Sequence, residues 1–330
     1  MDINALQTLY ARHPKLKAFG QCLLSGEPEI WLSGLQASSA PLAFAALPLA
    51  CPGAVARPFL FILNDAEEAA YFYHDLTQIL GNSDVLIFPS GQRRTLSEQR
   101  RDSAGEILRT EVLSRLASPS LSSLYVVTHP EALDELVVPP ADLRRDTLTV
   151  SVGMSLDEKF VRETLQEYGF RRVDYVYEPG QYAVRGSLID VYSYASEYPF
   201  RIDFFGDEVD SIRTFDIQQQ TSVERKQSVT VIPEMSAPED NMVPLTAYLP
   251  EGSTLVYKES VGRDFEGFRR VVLSPSAREG RTSFSFDISP QPVFHKNFDL
   301  LVSTLQRLDR EGYDLYILAD SLKSFRLLDF

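Results

Sequence analysis

The sequence predicts an α/β protein in which a parallel sheet is interrupted by a small α+β insertion, and three observations carry this prediction. Over the first 130 residues, short and continuously apolar runs alternate with helical stretches, the pattern of parallel strands covered on both faces. From about Asp134 to Gln218 that rhythm gives way to strands in which apolar residues alternate with arginines and carboxylates. Beyond the insertion, isolated apolar runs and a helical stretch return. The reading is one α/β domain in two parts, 1–133 and 219–330, around an inserted α+β domain at 134–218.

In chain order, Ile30–Leu32 reads as a strand, Ser39–Leu47 as a helix, Phe59–Leu63 as a strand, and Ala66–Leu80 as an amphipathic helix. Val85–Phe88 is a third strand, a helix spans about Ser97 to Leu116, and Leu124–Thr128 is a fourth strand. After the insertion, SVTVI at 228–232 and Thr254–Tyr257 read as strands of the α/β domain. Asn297–Glu311 reads as a helix and Leu315–Leu318 as a strand. The insertion is bounded by Val137-Val138-Pro139-Pro140 and by Gln218-Gln219-Gln220, whose proline and polar content reads as linker.

Composition removes several classes of function. With 44% apolar residues over 330, the chain has enough material for sizeable cores. Two cysteines, Cys22 and Cys51, and four scattered histidines fall short of a disulfide framework or a zinc site. No metal is expected. No leader-like segment or membrane-length apolar run occurs, so a cytoplasmic location is expected. A net charge of −14 opposes any role centred on tracking a phosphate backbone. One basic cluster, QRRTLSEQRR at 92–101, reads as a solvated helix face with glutamates answering its arginines.

The stretch from Gly169 to Glu208 is the most informative. Strand alternation puts Tyr182, Val184 and Gly186 on one side and Ala183, Arg185 and Ser187 on the other. Pro179-Gly180 reads as the turn of a hairpin between Val173–Tyr177 and a long strand, Gln181–Tyr192, with Gly186 a twist point. Further on, Phe200, Ile202 and Phe204 alternate with Arg201, Asp203 and Phe205, so one of the two adjacent phenylalanines lies outside the buried face. Asp190, Asp203 and Asp207 read as ion-pair partners of Arg185 or Arg201. The residues alone leave open whether the second face is covered by the helix at 155–168 or kept for a partner.

These residues also carry a resemblance. RVDYVYEPGQYAVRGSLIDVY followed by YPFRIDFFGDEVDSIRTFD resembles the small inserted domain shared by bacterial transcription-repair coupling factors and the excision-repair protein UvrB, which both families use to dock UvrA. Glu178, Pro179 and Ala183 are closer to the coupling factors, because UvrB carries further arginines around this turn. The resemblance implies a P-loop-NTPase-like, UvrB-like α/β domain around a UvrA-binding domain. It also implies docking residues Arg172, Arg185, Asp203 and Phe204, such that losing Arg185 or Phe204 would abolish docking without disturbing the fold.

The catalytic part of that fold is missing from the sequence. A phosphate loop needs Gly-x-x-x-x-Gly-Lys-Ser/Thr; here Gly34 holds the first position and Ser39, Ala40 and Pro41 the last three, without the lysine or the metal-binding hydroxyl. Pro89–Ser123 contains no aromatic residue, whereas UvrB inserts an aromatic-rich hairpin there to part DNA strands. No catalytic residue and no cofactor are therefore expected, and the alternatives of a UvrB-like ATPase or a vestigial nucleotide sensor rank below. LYILADSLKSFRLLDF reads as cut from a longer chain. In the coupling factors, further domains bind RNA polymerase, drive an ATP-dependent translocase along double-stranded DNA, and mask the UvrA-docking face. The segment by itself is expected to be monomeric.

Overall fold

The computed structural model describes residues 3–91, 103–118, 121, 123–234, 241–263, 265–289, 294 and 297–315. The basic cluster at 92–101 and the strand expected at Leu315–Leu318 lie outside the described residues or at their edge. Helices α1 (Ile3–Arg12) and α2 (Pro14–Leu24) precede β1 (Glu29–Ser33), α3 (Ser39–Ala50), β2 (Phe59–Ile62) and α4 (Ala66–Leu80). Next come β3 (Val85–Ile87), α5 (Ser103–Ala117), β4 (Tyr125–Thr128), and the short helices α6 (Pro130–Leu133) and α7 (Pro140–Arg145). The antiparallel part holds β5 (Leu148–Ser151), α8 (Glu158–Glu167), β6 (Arg171–Arg172), β7 (Gln181–Arg185), β8 (Leu188–Val191), β9 (Phe200–Phe205), β10 (Glu208–Phe215), β11 (Ser222–Lys226) and β12 (Ser228–Val231). Strands β13 (Thr254–Lys258), β14 (Arg269–Ser274) and β15 (Ser283–Ser285) and helix α9 (Phe298–Arg310) close the described chain.

Among the described residues, seven strands form one parallel sheet in the order β15-β1-β14-β13-β2-β4-β3. Its strands are apolar throughout because both faces are covered. Phe59 and Phe61 of β2 point into a core with α2, α3 and α4, while Leu60 and Ile62 point into a second core with α5. Phe44 of α3 meets Phe61 edge-on at 4.9 Å, and Phe59 stacks on Tyr125 at 5.6 Å. Helix α3 is apolar on all sides and almost wholly buried, as such a helix must be. Strand β15 is the edge strand beside β1.

The antiparallel part differs from the sequence reading in its boundaries. Gln218–Gln220, read as linker, is the turn between β10 and β11. The Asp216 carboxylate accepts the backbone N–H of Gln218 at 2.9 Å and of Gln219 at 2.7 Å, and Gln220 adopts a left-handed φ of 56°. The sheet therefore continues past 218. Ser228–Val231, expected in the parallel sheet, pairs antiparallel with β5. At the other end, Val137, Val138 and Leu143 pack into the α/β core, and Val137 bridges Val243. Strand pairing thus confines the insertion to about 148–231.

Its six-stranded sheet runs β11-β10-β9-β8-β7-β6. Pro179-Gly180 is not a hairpin turn, because β6 and β7 are parallel, with Arg172 opposite Tyr182. The connection between them, 173–180, crosses over the second face of the sheet and buries Val176 against Ala183 and Tyr192. The hairpin lies further on. Gly186, at φ 60°, and Ser187 form a two-residue turn that folds β8 back on β7. Helix α8 packs Val161 and Leu165 on the first face, with Tyr182, Ile189 and Ile202.

A cleft of about 590 Å³ lies between α5 and the insertion, walled by Tyr177, Tyr192, Glu111, Glu178 and Glu197 among others. Burial pushes the Glu111 carboxyl above its ordinary value; Arg115 opposes the shift and the charge of Glu197 adds to it. A carboxyl whose pKa rises on folding disfavours its ionised form in the native state. That penalty is absent below the unfolded value of about 4.3 and complete above the folded one. Glu111→Gln is therefore expected to raise the melting temperature at pH 8 and to leave it nearly unchanged at pH 4. A scan showing equal shifts at both pH values would contradict this environment for Glu111.

Candidate functional site: the second face of the antiparallel sheet

With α8 on the first face, the second face presents Arg185 of β7, Leu188 and Asp190 of β8, Arg201, Asp203 and Phe205 of β9, and Arg213 of β10, with Arg225 of β11 opposite Arg213. The crossover 173–178 covers one end of this face and leaves the rest open. Asp190 is 1% exposed and is the centre of the ion pairing. Arg201 grips it with two bonds, Nε to Oδ1 at 2.7 Å and Nη2 to Oδ2 at 2.9 Å, and Arg185 donates to the same Oδ2. Those bonds push the Arg201 guanidinium pKa up. Arg201 also lies 4.3 Å over the Phe215 ring, and Arg185 lies 5.0 Å over the Tyr175 ring.

The four residues expected from the resemblance separate here. Arg172 is exposed at the sheet edge on β6. Arg185 is partly exposed at the β7–β8 turn, and Asp203 accepts from Ser187 at 3.2 Å and from Arg213 at 3.5 Å. Phe204 does not join them. It is 5% exposed and packs in the first-face core, whereas its neighbour Phe205 is 83% exposed beside the turn at Gly206. Phe204 shares the side of β9 that carries Phe200 and Ile202, and burying those three is what holds the strand down. Arg213 and Arg225 were not singled out from the sequence. The signal for Arg213 was its alternation with Ile212 and Thr214 along β10, whereas β11 is exposed throughout and gave none for Arg225.

The degenerate phosphate loop is also visible. Gly34, at φ 76°, lies under the backbone of Phe286, whose carbonyl oxygen would collide with any side-chain carbon there. At the start of α3, the Ser39 N–H is bonded to the Gln36 carbonyl at 3.0 Å, the Leu42 N–H to Ser38 at 3.1 Å, and Pro41 has no N–H. The adjoining cavity, about 990 Å³, is walled by Leu35, Tyr71, Phe72, Asp75, Glu68 and Glu259 among others. Its Lys258 is bound to Glu68 at 2.6 Å. Carboxylates thus line this cavity, and its lysine is held in an ion pair.

Residues 148–236 match the family model of the UvrB interaction domain, a span that contains the 148–231 segment of the strand pairings. The fold and this match define the class: an α/β protein carrying a UvrB interaction domain. The chain is similar to the transcription-repair-coupling factor of Bacillus subtilis (strain 168), 29% identical over 234 residues, 70% of the chain and 19% of the relative. It is also similar to those of Escherichia coli (strain K12), 28% identical over 185 residues (56% and 16%), and Haemophilus influenzae, 32% over 162 residues (49% and 14%). The chain spans less than a fifth of the length of these transcription-repair-coupling factors.

The two phenylalanines give a direct check of the geometry. Phe204→Ala is expected to cost about 3–5 kcal/mol of stability, as truncation of a buried phenylalanine does. Phe205→Ala should stay within about 0.5 kcal/mol of the parent. Urea denaturation of both variants reads the difference, and comparable midpoints would reverse the assignment of core and surface.

Proposed function

We propose that this chain is a non-catalytic recruitment module of a transcription-repair-coupling factor, and that the second face of its antiparallel sheet docks UvrA. The observation that carries this reading is the open face itself. A guanidinium is held over a tyrosine, an aromatic ring stands 83% exposed, and arginines outnumber aspartates, all in a chain of net charge −14. Exposed Phe205 and the planar fork of Arg185 are the residue types that dominate protein interfaces, and truncating such anchors costs about 2 kcal/mol or more of binding energy. The match to the UvrB interaction domain supports the same reading. The docking set is accordingly Arg172, Arg185, Asp203 and Phe205, with Phe205 in the role first expected of Phe204.

The dismantled helix start at α3 and the acidic cavity beside it support a segment without nucleotide chemistry. We assign the ATP-driven translocase, RNA-polymerase binding and double-stranded-DNA binding of the family to parts of a longer protein outside these 330 residues. Among the described residues, no helix is long and apolar enough to cross a membrane. The module would act in the cytoplasm, where bacterial DNA and polymerase meet.

Co-elution of the chain with purified UvrA tests the docking. Arg185→Glu would set a carboxylate against Asp190, so Arg185→Ala is the cleaner variant. Together with Phe205→Ala it should lower affinity about 30-fold or more, with an unchanged far-UV CD spectrum. Undiminished co-elution of both variants would remove the second face from the interface. Titration with ATP and magnesium should give no binding heat, and a micromolar dissociation constant would restore the nucleotide reading.

A further inference from the structure

We propose that Asp190 is the positioning residue of the docking face: buried beneath it, the carboxylate fixes the direction in which Arg185 meets an acidic partner surface. This rests on the docking reading above and adds a residue that does not itself touch the partner. Asp190 lies in the middle of the sheet, between Ala183 and Arg201 in register, and is 1% exposed. Its two oxygens do different work. Oδ1 is taken by Arg201, whereas Oδ2 is shared between Arg201 and Arg185.

The two arginines are not equivalent. Arg201 is 15% exposed, lies on the Phe215 ring, and extends toward Gln220 Oε1 at 3.4 Å, so its guanidinium is committed inward. Arg185 is 37% exposed and gives Asp190 only Nη2, leaving Nε and Nη1 for an acceptor outside. With Tyr175 under its plane and Asp190 at one edge, its outward edge has a single direction. The trio keeps one positive charge, since one carboxylate answers two guanidinia. Replacing that carboxylate by an amide removes the charge-assisted bonds and leaves two like charges side by side, so Arg185 swings away while remaining on the surface.

The test is a double-mutant cycle read as the dissociation constant for UvrA, with the 330-residue chain unaltered or carrying Asp190→Asn, Arg185→Ala, or both, and a urea midpoint for each. Asp190→Asn should weaken binding about tenfold in the parent and less than twofold in the Arg185→Ala background, whatever it does to the midpoint. Losses that multiply in the double variant, or parental affinity in folded Asp190→Asn, would overturn the inference while leaving docking intact. If Asp190→Asn does not fold, Arg185→Lys serves in its place. It keeps the charge but lacks the planar fork, so a tenfold loss supports a directional role and parental affinity overturns it. Failure of the unaltered chain to bind UvrA, or an Arg185→Ala variant that binds as the parent does, would bring down the docking reading and the inference together.

Discussion

A carboxylate buried in the middle of a β-sheet constrains everything around it. An uncompensated ion at the position of Asp190 would cost several kcal/mol, so its oxygens must be met by donors that approach from the same side of the sheet. Arg201 and Arg185 supply them, and Phe215 and Tyr175 give their guanidinium planes a surface to lie on. A face occupied by this ionic layer cannot also take an apolar helix. The packing that stabilises the insertion is therefore concentrated on the opposite face, where Tyr182, Ile189, Ile202 and Ile212 meet Val161 and Leu165 of α8. One alternation along four strands thereby separates what holds the unit together from what it can offer a partner.

The large α/β part shows the reverse economy. Its sheet is buried on both sides, and the loop after β1 packs closely against the chain that follows β15. Gly34 is required there because the chain leaving β15 crosses directly above it at Phe286. At the start of α3 the Ser39 N–H is bonded to Gln36 and Pro41 has none, and the lysine in the nearby cavity is paired with Glu68.

Strands β1 to β4 and β13 of the α/β part were legible as continuous apolar runs, whereas α1, α2 and the central strand β14, which opens on two arginines, were not read. Strand direction was not legible. Pro179-Gly180 signals a change of course, but nothing local distinguishes a hairpin from a crossover, and the parallel pairing of Arg172 with Tyr182 is a long-range outcome. Gly186 was noticed as unusual for the same backbone freedom that in fact makes it a turn. Three glutamines resembled a linker because their order comes from the Asp216 side chain, which composition does not reveal. Phe204 was decidable: alternation with Phe200 and Ile202 already put it on the apolar side, and the position carried by resemblance contradicted that parity. The ion pairing of Asp190 with both Arg185 and Arg201 was within reach, since adjacent strands of alternating sign must set opposite charges side by side.

Charge distribution limits how such a face can work. The chain carries −14 overall, yet the strands of the second face set Arg185, Arg201, Arg213 and Arg225 against Asp190, Asp203 and, opposite Phe205, Glu208. At physiological salt the screening length is about 8 Å, so an acidic partner experiences net repulsion from most approach directions and attraction only when this face is already close. Long-range steering then contributes little, and selectivity depends on contacts made after the surfaces meet. Contacts of that kind reward fixed geometry over the number of charges, because each mobile arginine must be ordered on binding. Arg201 and Arg185 are ordered beforehand by Asp190, at the expense of one elementary charge that a more basic face would have kept.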